Sequence, residues 1–294
     1  MKKKMMYLQL FAAAENTTVT ADLEPAISVD FVSRISANMN SLMEVLGVSD
    51  LIPMAAGTTL KMWKMVKENS PAQVDEGEEI PLTKVTRKPA GEVVIEMNKY
   101  RKNTTAEAIQ KVGRNMAINK TDEKLVSEIQ KDIKNSFYAV LKTGTGTASG
   151  TNLQTALAAL WGKLSIRFED TDVSPVYFIN PLDVAEYLGN AQISTQSAFG
   201  FQYIENFLGL GTAILHSAVE QKKPIGTVKE NLRGVNVPMN GEVAQAFNLT
   251  ADNTGLVGMT HSTKTNNATI DTLIISGVKF FPEYVDGVFI ATIA

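Results

Sequence analysis

Between residues 60 and 100 the chain alternates in part between apolar and polar residues, and from 105 to 142 the spacing changes to three and four. Leu60-Lys61-Met62-Trp63-Lys64-Met65-Val66-Lys67 is the first alternating run, and Glu92-Val93-Val94-Ile95-Glu96-Met97-Asn98-Lys99-Tyr100 supplies a partner. The pattern predicts an antiparallel hairpin. Between the two runs lie Asn69-Ser70-Pro71, the acidic run Asp75-Glu76-Gly77-Glu78-Glu79, and Pro81, Pro89 and Gly91. Such residues favour turns and interrupt a sheet. Lys64 to Lys102 holds eight basic and seven acidic residues. A hairpin charged on both faces buries little apolar area and is marginal in water by itself. Another body lying along it, most simply a second copy of the chain, would give it support.

The second pattern predicts a helix that begins at Thr104 or Thr105, with Glu107 in its first turn. Ile109, Val112 and Met116 start an apolar stripe, which Val126, Ile129, Ile133, Phe137 and Val140 continue. Thr121-Asp122-Glu123 resembles a fresh helix start, so a break is expected near Asn119. Unbroken, the helix would be about 55 Å long at 1.5 Å per residue. That is the length of a strut rather than of an ordinary globular helix.

Elsewhere the punctuation is more conventional. Residues 15–30 are polar and read as an extended arm. Phe31, Val32, Ile35, Met39, Leu42, Met43 and Leu46 have helical spacing that stops at Gly47, and Val48 to Pro53 is a short apolar piece. Thr143 to Gly150 reads as a flexible linker. Leu153 to Leu164 reads as a helix, Val176-Tyr177-Phe178-Ile179 as a buried strand, and Asn180-Pro181-Leu182-Asp183 as a helix start with proline in its first turn. Residues 199–247 mix short strands and turns, and Asn248 to Asn267 reads as polar and turn-rich. Thr272 to Ile275 and Gly287 to Ala291 read as terminal strands around Pro282-Glu283.

Composition narrows the chemistry. The chain has 294 residues, 44% of them hydrophobic and 20% charged, which is ordinary for a globular protein and enough for one large or two smaller domains. A formal net charge of −3 gives no overall attraction to nucleic-acid phosphates. There is no cysteine, which excludes disulfides, thiolate nucleophiles and cysteine-ligated metals. Lys2-Lys3-Lys4, a run of about ten mostly apolar residues and Ala12-Ala13-Ala14 look like a short signal peptide. Gln9 interrupts that run, and a terminal arm packed on a neighbour is the favoured reading. No stretch approaches the ~18 apolar residues that span a bilayer.

Candidate sites are few, and the bland reading of each is stronger. His216 and His261 are the two histidines, and neither has metal-ligand spacing. Ser217 adjoins His216, but adjacent strand residues point to opposite faces, so ordinary structural roles are expected. Gly144-Thr145-Gly146-Thr147-Ala148-Ser149-Gly150 has the look of a phosphate loop, yet it follows a helix and lacks the lysine and hydroxyl of that motif. A hinge is expected there. Glu169-Asp170-Thr171-Asp172 could hold a hard cation, but reads as a solvated turn, and the acidic run 75–79 reads as a solvated or partner-facing tip. Met5, Met6, Met62 and Met65 suit adaptable packing at subunit contacts. No acid, base and nucleophile come together, so no catalytic, cofactor-binding or metal residue is assigned and no enzyme is expected.

The order of these parts resembles the major capsid proteins of tailed bacteriophages, which have the Hong Kong 97 fold. The opening Leu8-Gln9-Leu10-Phe11-Ala12 is similar to the start of many of them. Ser174 to Pro181 resembles part of their A-domain, and the close, Val278-Lys279-Phe280-Phe281-Pro282-Glu283 through Gly287 to Thr292, resembles their terminal P-domain strands. The resemblance implies an α+β chain with an N-terminal arm (1–30), a peripheral P-domain (31–57, 104–150 and 268–294) with a long spine helix, an extended E-loop hairpin (58–103) and an axial A-domain (151–267). It further implies self-assembly into hexamers and pentamers of an icosahedral shell around double-stranded DNA, built in the host bacterial cytoplasm, with no cofactor and no membrane. Portal and decoration proteins would be partners. Because the arm begins almost at once, a separate scaffolding protein is expected. Some members link subunits through a lysine–asparagine isopeptide bond. Lys84 and Lys88 lie near the hairpin tip, but no matching asparagine and glutamate stand out, so that chemistry is left unassigned. The alternatives are an encapsulin-type compartment shell of the same fold and, from Lys2 to Ala14, a secreted surface-layer or adhesion protein.

Overall fold

In the computed structural model, residues 32–294 are described apart from 33, 36, 49, 69–73, 75–78, 81, 170–171, 189–194, 199–200 and 252–253. The N-terminal arm, with its signal-like stretch, lies outside the described residues, as do most of the acidic run at 75–79 and the middle of Glu169–Asp172. Helix α1 has helical positions from 32 to 46. It buries Val32, Ile35, Met39, Leu42 and Leu46 on one face, as their spacing predicts, and ends at Gly47, whose φ is +70°.

Strand β1 (Leu51–Pro53) precedes the ribbon formed by β2 (Thr59–Lys67) and β3 (Val85–Val94). Strand β4 (Asn98–Thr105) runs into α2 (Ala106–Val112) and α3 (Arg114–Leu141). Next come β5 (Gly146–Gly150), α4 (Leu153–Arg167), β6 (Pro175–Ile179), α5 (Pro181–Leu188), β7 (Gln196–Ala198), β8 (Phe201–Ile204) and β9 (Thr212–Leu215). The chain closes with β10 (Ile225–Val228), β11 (Leu232–Asn236), α6 (Glu242–Phe247), β12 (Thr250–Ala251), β13 (Val257–Lys264), β14 (Thr269–Ser276), β15 (Val278–Pro282) and β16 (Phe289–Ile293).

The largest sheet has seven strands in the order β5-β16-β10-β6-β9-β8-β7. Alternation along β6 explains its two-sided burial. Val176 and Phe178 face α1 and α3, where they meet Ile129, Ile133 and Phe137. Tyr177 and Ile179 face α4, where they meet Leu157, Leu160 and Leu164. The Phe137 ring packs edge-on against Phe178 and Phe280 at 5.5 and 5.9 Å. Two smaller sheets, β1-β11-β15 and β12-β13-β14-β4, complete the body, while β2 and β3 pair with each other alone. Strand pairing crosses the sequence position 267/268: β13 bonds β14, β11 bonds β15, and β16 joins the large sheet.

Four local expectations are corrected. The second hairpin strand is 85–94, with Pro89 and Gly91 inside it, and residues 98–105 leave the ribbon to pair with β14. The long helix begins where expected, with the Thr105 hydroxyl accepting from the Ala108 N–H at 3.3 Å, but it breaks at Gly113, where φ is +81°, and runs unbroken through Asn119. Thr143–Gly150 is not a free linker: residues 146–150 form an edge strand parallel to β16. Its glycines permit close approach, since a Cβ on Gly146 would stand 2.3 Å from the Phe289 ring. Residues 257–264, within the stretch read as turns, form β13, paired along its whole length with β14.

Candidate assembly interface

The ribbon is built from two strands that share no sheet with the body. Their pairs run from Thr59 opposite Val94 to Lys67 opposite Val85, with a bulge between Met62 and Trp63. Pro89 stands opposite Trp63 at that irregularity, where a missing N–H interrupts the ladder least. The ribbon's foot is apolar and rooted: Val93 and Ile95 are buried with Val235, Val237, Met239 and Phe281, and Leu60 and Met62 pack onto the same cluster.

The opposite face has another character. Trp63 is 41% exposed, Met65 71% and Val85 57%. The Arg87 guanidinium lies over the Trp63 ring, 4.2 Å from its centroid. Beyond the strands, Ile80 and Leu82 are 71% and 91% exposed. An aromatic ring, an arginine stacked on it and a row of apolar side chains are the anchor types of protein–protein interfaces. An apolar row on a two-stranded ribbon has no core of its own to enter.

Polar contacts fix the ribbon's shape and its angle to the body. The Thr86 hydroxyl donates to the Glu68 carboxylate at 2.7 Å, and Lys84 pairs with it at 3.1 Å. These two partners, with Lys88, hold the Glu68 carboxyl below its ordinary range. Lys64 reaches Asp286 at 3.4 Å, and Arg167 from the end of α4 meets the same carboxylate at 3.2 Å. Burial pushes the Asp286 carboxyl up, but Arg167 and Lys64 outweigh it and leave it below the usual range.

The strut behind the ribbon is clamped by a buried polar cluster. Asp122 on α3 is 2% exposed, accepts from the Lys102 ammonium of β4, and lies 3.3 Å from the His261 ring of β13. The Lys102 ammonium also donates to Ile118 O at 3.1 Å and to the Thr121 hydroxyl. Thr121-Asp122, which reads as a helix start, is therefore a mid-helix anchor to the sheet. A buried carboxylate needs such partners.

The structure disperses the other candidate residues. The His216 Nδ1 accepts from the Ala218 N–H at 3.0 Å and its ring stacks on Tyr138 at 5.9 Å, while His261 faces Asp122. Ser217 is exposed. Burial, with Lys134 adding to it, pulls the His216 pKa down to about 4. Glu169 and Asp172 are exposed. Among the described residues no group of three or more histidines, cysteines or acids is placed to hold a metal ion, and no helix is long and apolar enough to cross a membrane. Met62 faces the body and Met65 faces outward. Sequence reasoning weighed the hairpin's charges and singled out Met65 for a subunit contact, but missed Trp63 and Val85 beside it. The signal was there, since Trp63 and Met65 share one parity of the alternation.

No protein-family model matches the chain, and no curated protein matches it. Solved structures do. The Mycobacterium phage Adephagia structure is 10% identical, with a TM-score of 0.55 over 85% of this chain and 89% of that one. The capsid of an empty GTA particle is 8% identical, with a TM-score of 0.54 over 86% and 90%. The holo-SrpI encapsulin complex from Synechococcus elongatus PCC 7942 is 13% identical, with a TM-score of 0.51 over 82% and 84%. At these identities the likeness shows the fold, and the fold is the Hong Kong 97-type capsid fold.

Proposed function

We propose that this chain is a structural shell subunit, many copies of which close into a container. The observation that carries the reading is the uncovered apolar face of the β2–β3 ribbon in a chain of this fold. A single copy gains nothing from displaying Trp63, Met65 and Val85 to water, whereas a neighbour lying on them buries all three at once. Each exposed ion pair along the ribbon contributes only ~0–1 kcal/mol, so charge sets register and orientation while apolar contact supplies the attraction.

In its finer form, the protein is the major capsid protein of a tailed phage, forming hexamers and pentamers around double-stranded DNA. Residues 58–103 would reach across as the E-loop, α3 would be the spine of a peripheral domain, and 151–267 the axial domain. A separate scaffolding protein, a portal and a decoration protein would complete the set, and assembly would take place in the host cytoplasm. The slightly acidic chain suits a wall that does not hold DNA, so that packaged DNA can slide against it. The likeness to the encapsulin complex supports a second reading, a compartment around an enzyme cargo.

The test is assembly. Concentrated protein examined by electron microscopy and sedimentation is expected to give rings or closed shells. Removing Glu68 to Gly91 is expected to leave a folded monomer and abolish them. Monomers under every condition of salt and concentration would refute the shell reading. Nuclease-protected DNA in particles from the natural source favours the phage form, and a co-purifying enzyme favours the compartment.

A further inference from the structure

At the foot of the ribbon lies an open groove of about 430 Å³. It is lined by Met54, Ala55 and Ala56 just before β2, by Met97 just after β3, and by Pro238 and Val243 from beyond β11. A space of ~150 Å³ holds a benzene ring, so the groove has room for two large apolar side chains. The two methionines give it walls that can adapt to what enters.

At the other end of the same ribbon, Leu82 is the most exposed large apolar side chain among the described residues, at 91%, and Ile80 stands near it in sequence at 71%. The ribbon keeps these residues from their own groove. Its strands are held in register from Thr59–Val94 to Lys67–Val85, a length of roughly 25–30 Å at ~3.3 Å per residue. A paired ribbon of that length cannot double back onto its own foot. One chain therefore carries an apolar end and an apolar groove that can meet only between copies. A contact joining two different patches of identical chains is head-to-tail, and it closes into a ring when the rotation allows.

We propose that the groove at Met54–Ala56, Met97 and Val243 receives Ile80 and Leu82 of a neighbouring copy. This rests on the reading of the ribbon as an intersubunit contact and adds where the far end lands. It places the receiving surface at the root of the neighbour's own ribbon, so an occupied groove braces the next ribbon in the ring.

The absence of cysteine makes the test clean. Leu82→Cys and Ala56→Cys chains are prepared separately, mixed, assembled and mildly oxidised. A disulfide-linked dimer is expected in the mixture and in neither chain alone, and the double variant is expected to give a ladder. Leu82→Asp is expected to leave the thermal melt of the monomer unchanged and to raise the concentration needed for assembly roughly tenfold or more, the scale of losing one buried leucine. Particles that form without the mixture-specific cross-link, or Leu82→Asp chains that assemble at the wild-type concentration, overturn the groove and leave the shell reading intact. No assembly under any condition overturns both.

Discussion

His216 gives the body of this protein a defined acid weakness. The residue is 8% exposed, with its ring stacked on Tyr138 and its Nδ1 accepting the Ala218 N–H. Burial is the main reason that its pKa falls from 6.5 to about 4, and the Lys134 ammonium adds to it. In the unfolded chain the ring takes up its proton near 6.5, so between 6.5 and about 4 the unfolded state binds more protons than the folded one. Stability is therefore whole above pH 6.5 and declines as pH falls through that window. Linkage gives a loss of ~2 kcal/mol at pH 5 and ~3 kcal/mol at pH 4. His216→Asn keeps a side-chain acceptor for the Ala218 N–H and removes the titration. Urea unfolding of both dissociated chains at pH 7, 6, 5 and 4.5 is the assay. The wild-type midpoint should fall by about 1 M more than the variant's between pH 7 and 5, taking ~2 kcal/mol per M as the slope. Equal falls in the two proteins would show that His216 is not buried in its neutral form, and the argument would fail. Asp271, held down to about 2 chiefly by Lys264 and then by Arg101 and Asn103, loses its partners' support only below this range and does not confound it.

Asp122→Ala would leave Lys102 without its carboxylate in a poorly solvated position and should lower stability by ~3–5 kcal/mol, read as a large drop in melting temperature; an unchanged melt would sink the anchor role. Gly146→Ala drives a methyl into the Phe289 ring, whereas Gly162→Ala, mid-helix in α4, meets open space. The first should destabilise by ~1–3 kcal/mol and the second should stabilise the monomer by up to ~1 kcal/mol, with calorimetry giving both signs. Trp63→Ala should shift the monomer melt by less than ~1 kcal/mol, since the ring lies on the surface, while light scattering shows slowed or absent assembly. Normal assembly of that variant would remove Trp63 from the interface.

What was legible in the sequence follows physical lines. Where burial is one-sided and local, the residue pattern is enough: α1 buries the residues its spacing selects, Thr105 caps α2, and the β6 run lies buried between two layers. Where a residue serves a distant partner, local rules misassign it. Thr121-Asp122 carries helix-start chemistry, but β4 and β13 bring Lys102 and His261 to it, and a local rule has no access to either. Gly144–Gly150 has linker composition because glycine suits both flexibility and tight packing, and the Phe289 ring, far along the chain, decides between them. The outer face of the ribbon fails for a different reason. Met65 reads as a subunit-contact residue in sequence, whereas Trp63 and Leu82 are overlooked among the hairpin's charges, and all three lie exposed in the isolated chain. The exposure is itself informative, because a contiguous apolar row left open to water is the mark of a surface that another molecule covers. By the same logic α2 and the start of α3, where Val112 and Met116 are 51% and 56% exposed, mark a second bare stripe. The ribbon is distinguished from it by carrying, at its own foot, an apolar groove that its far end cannot reach.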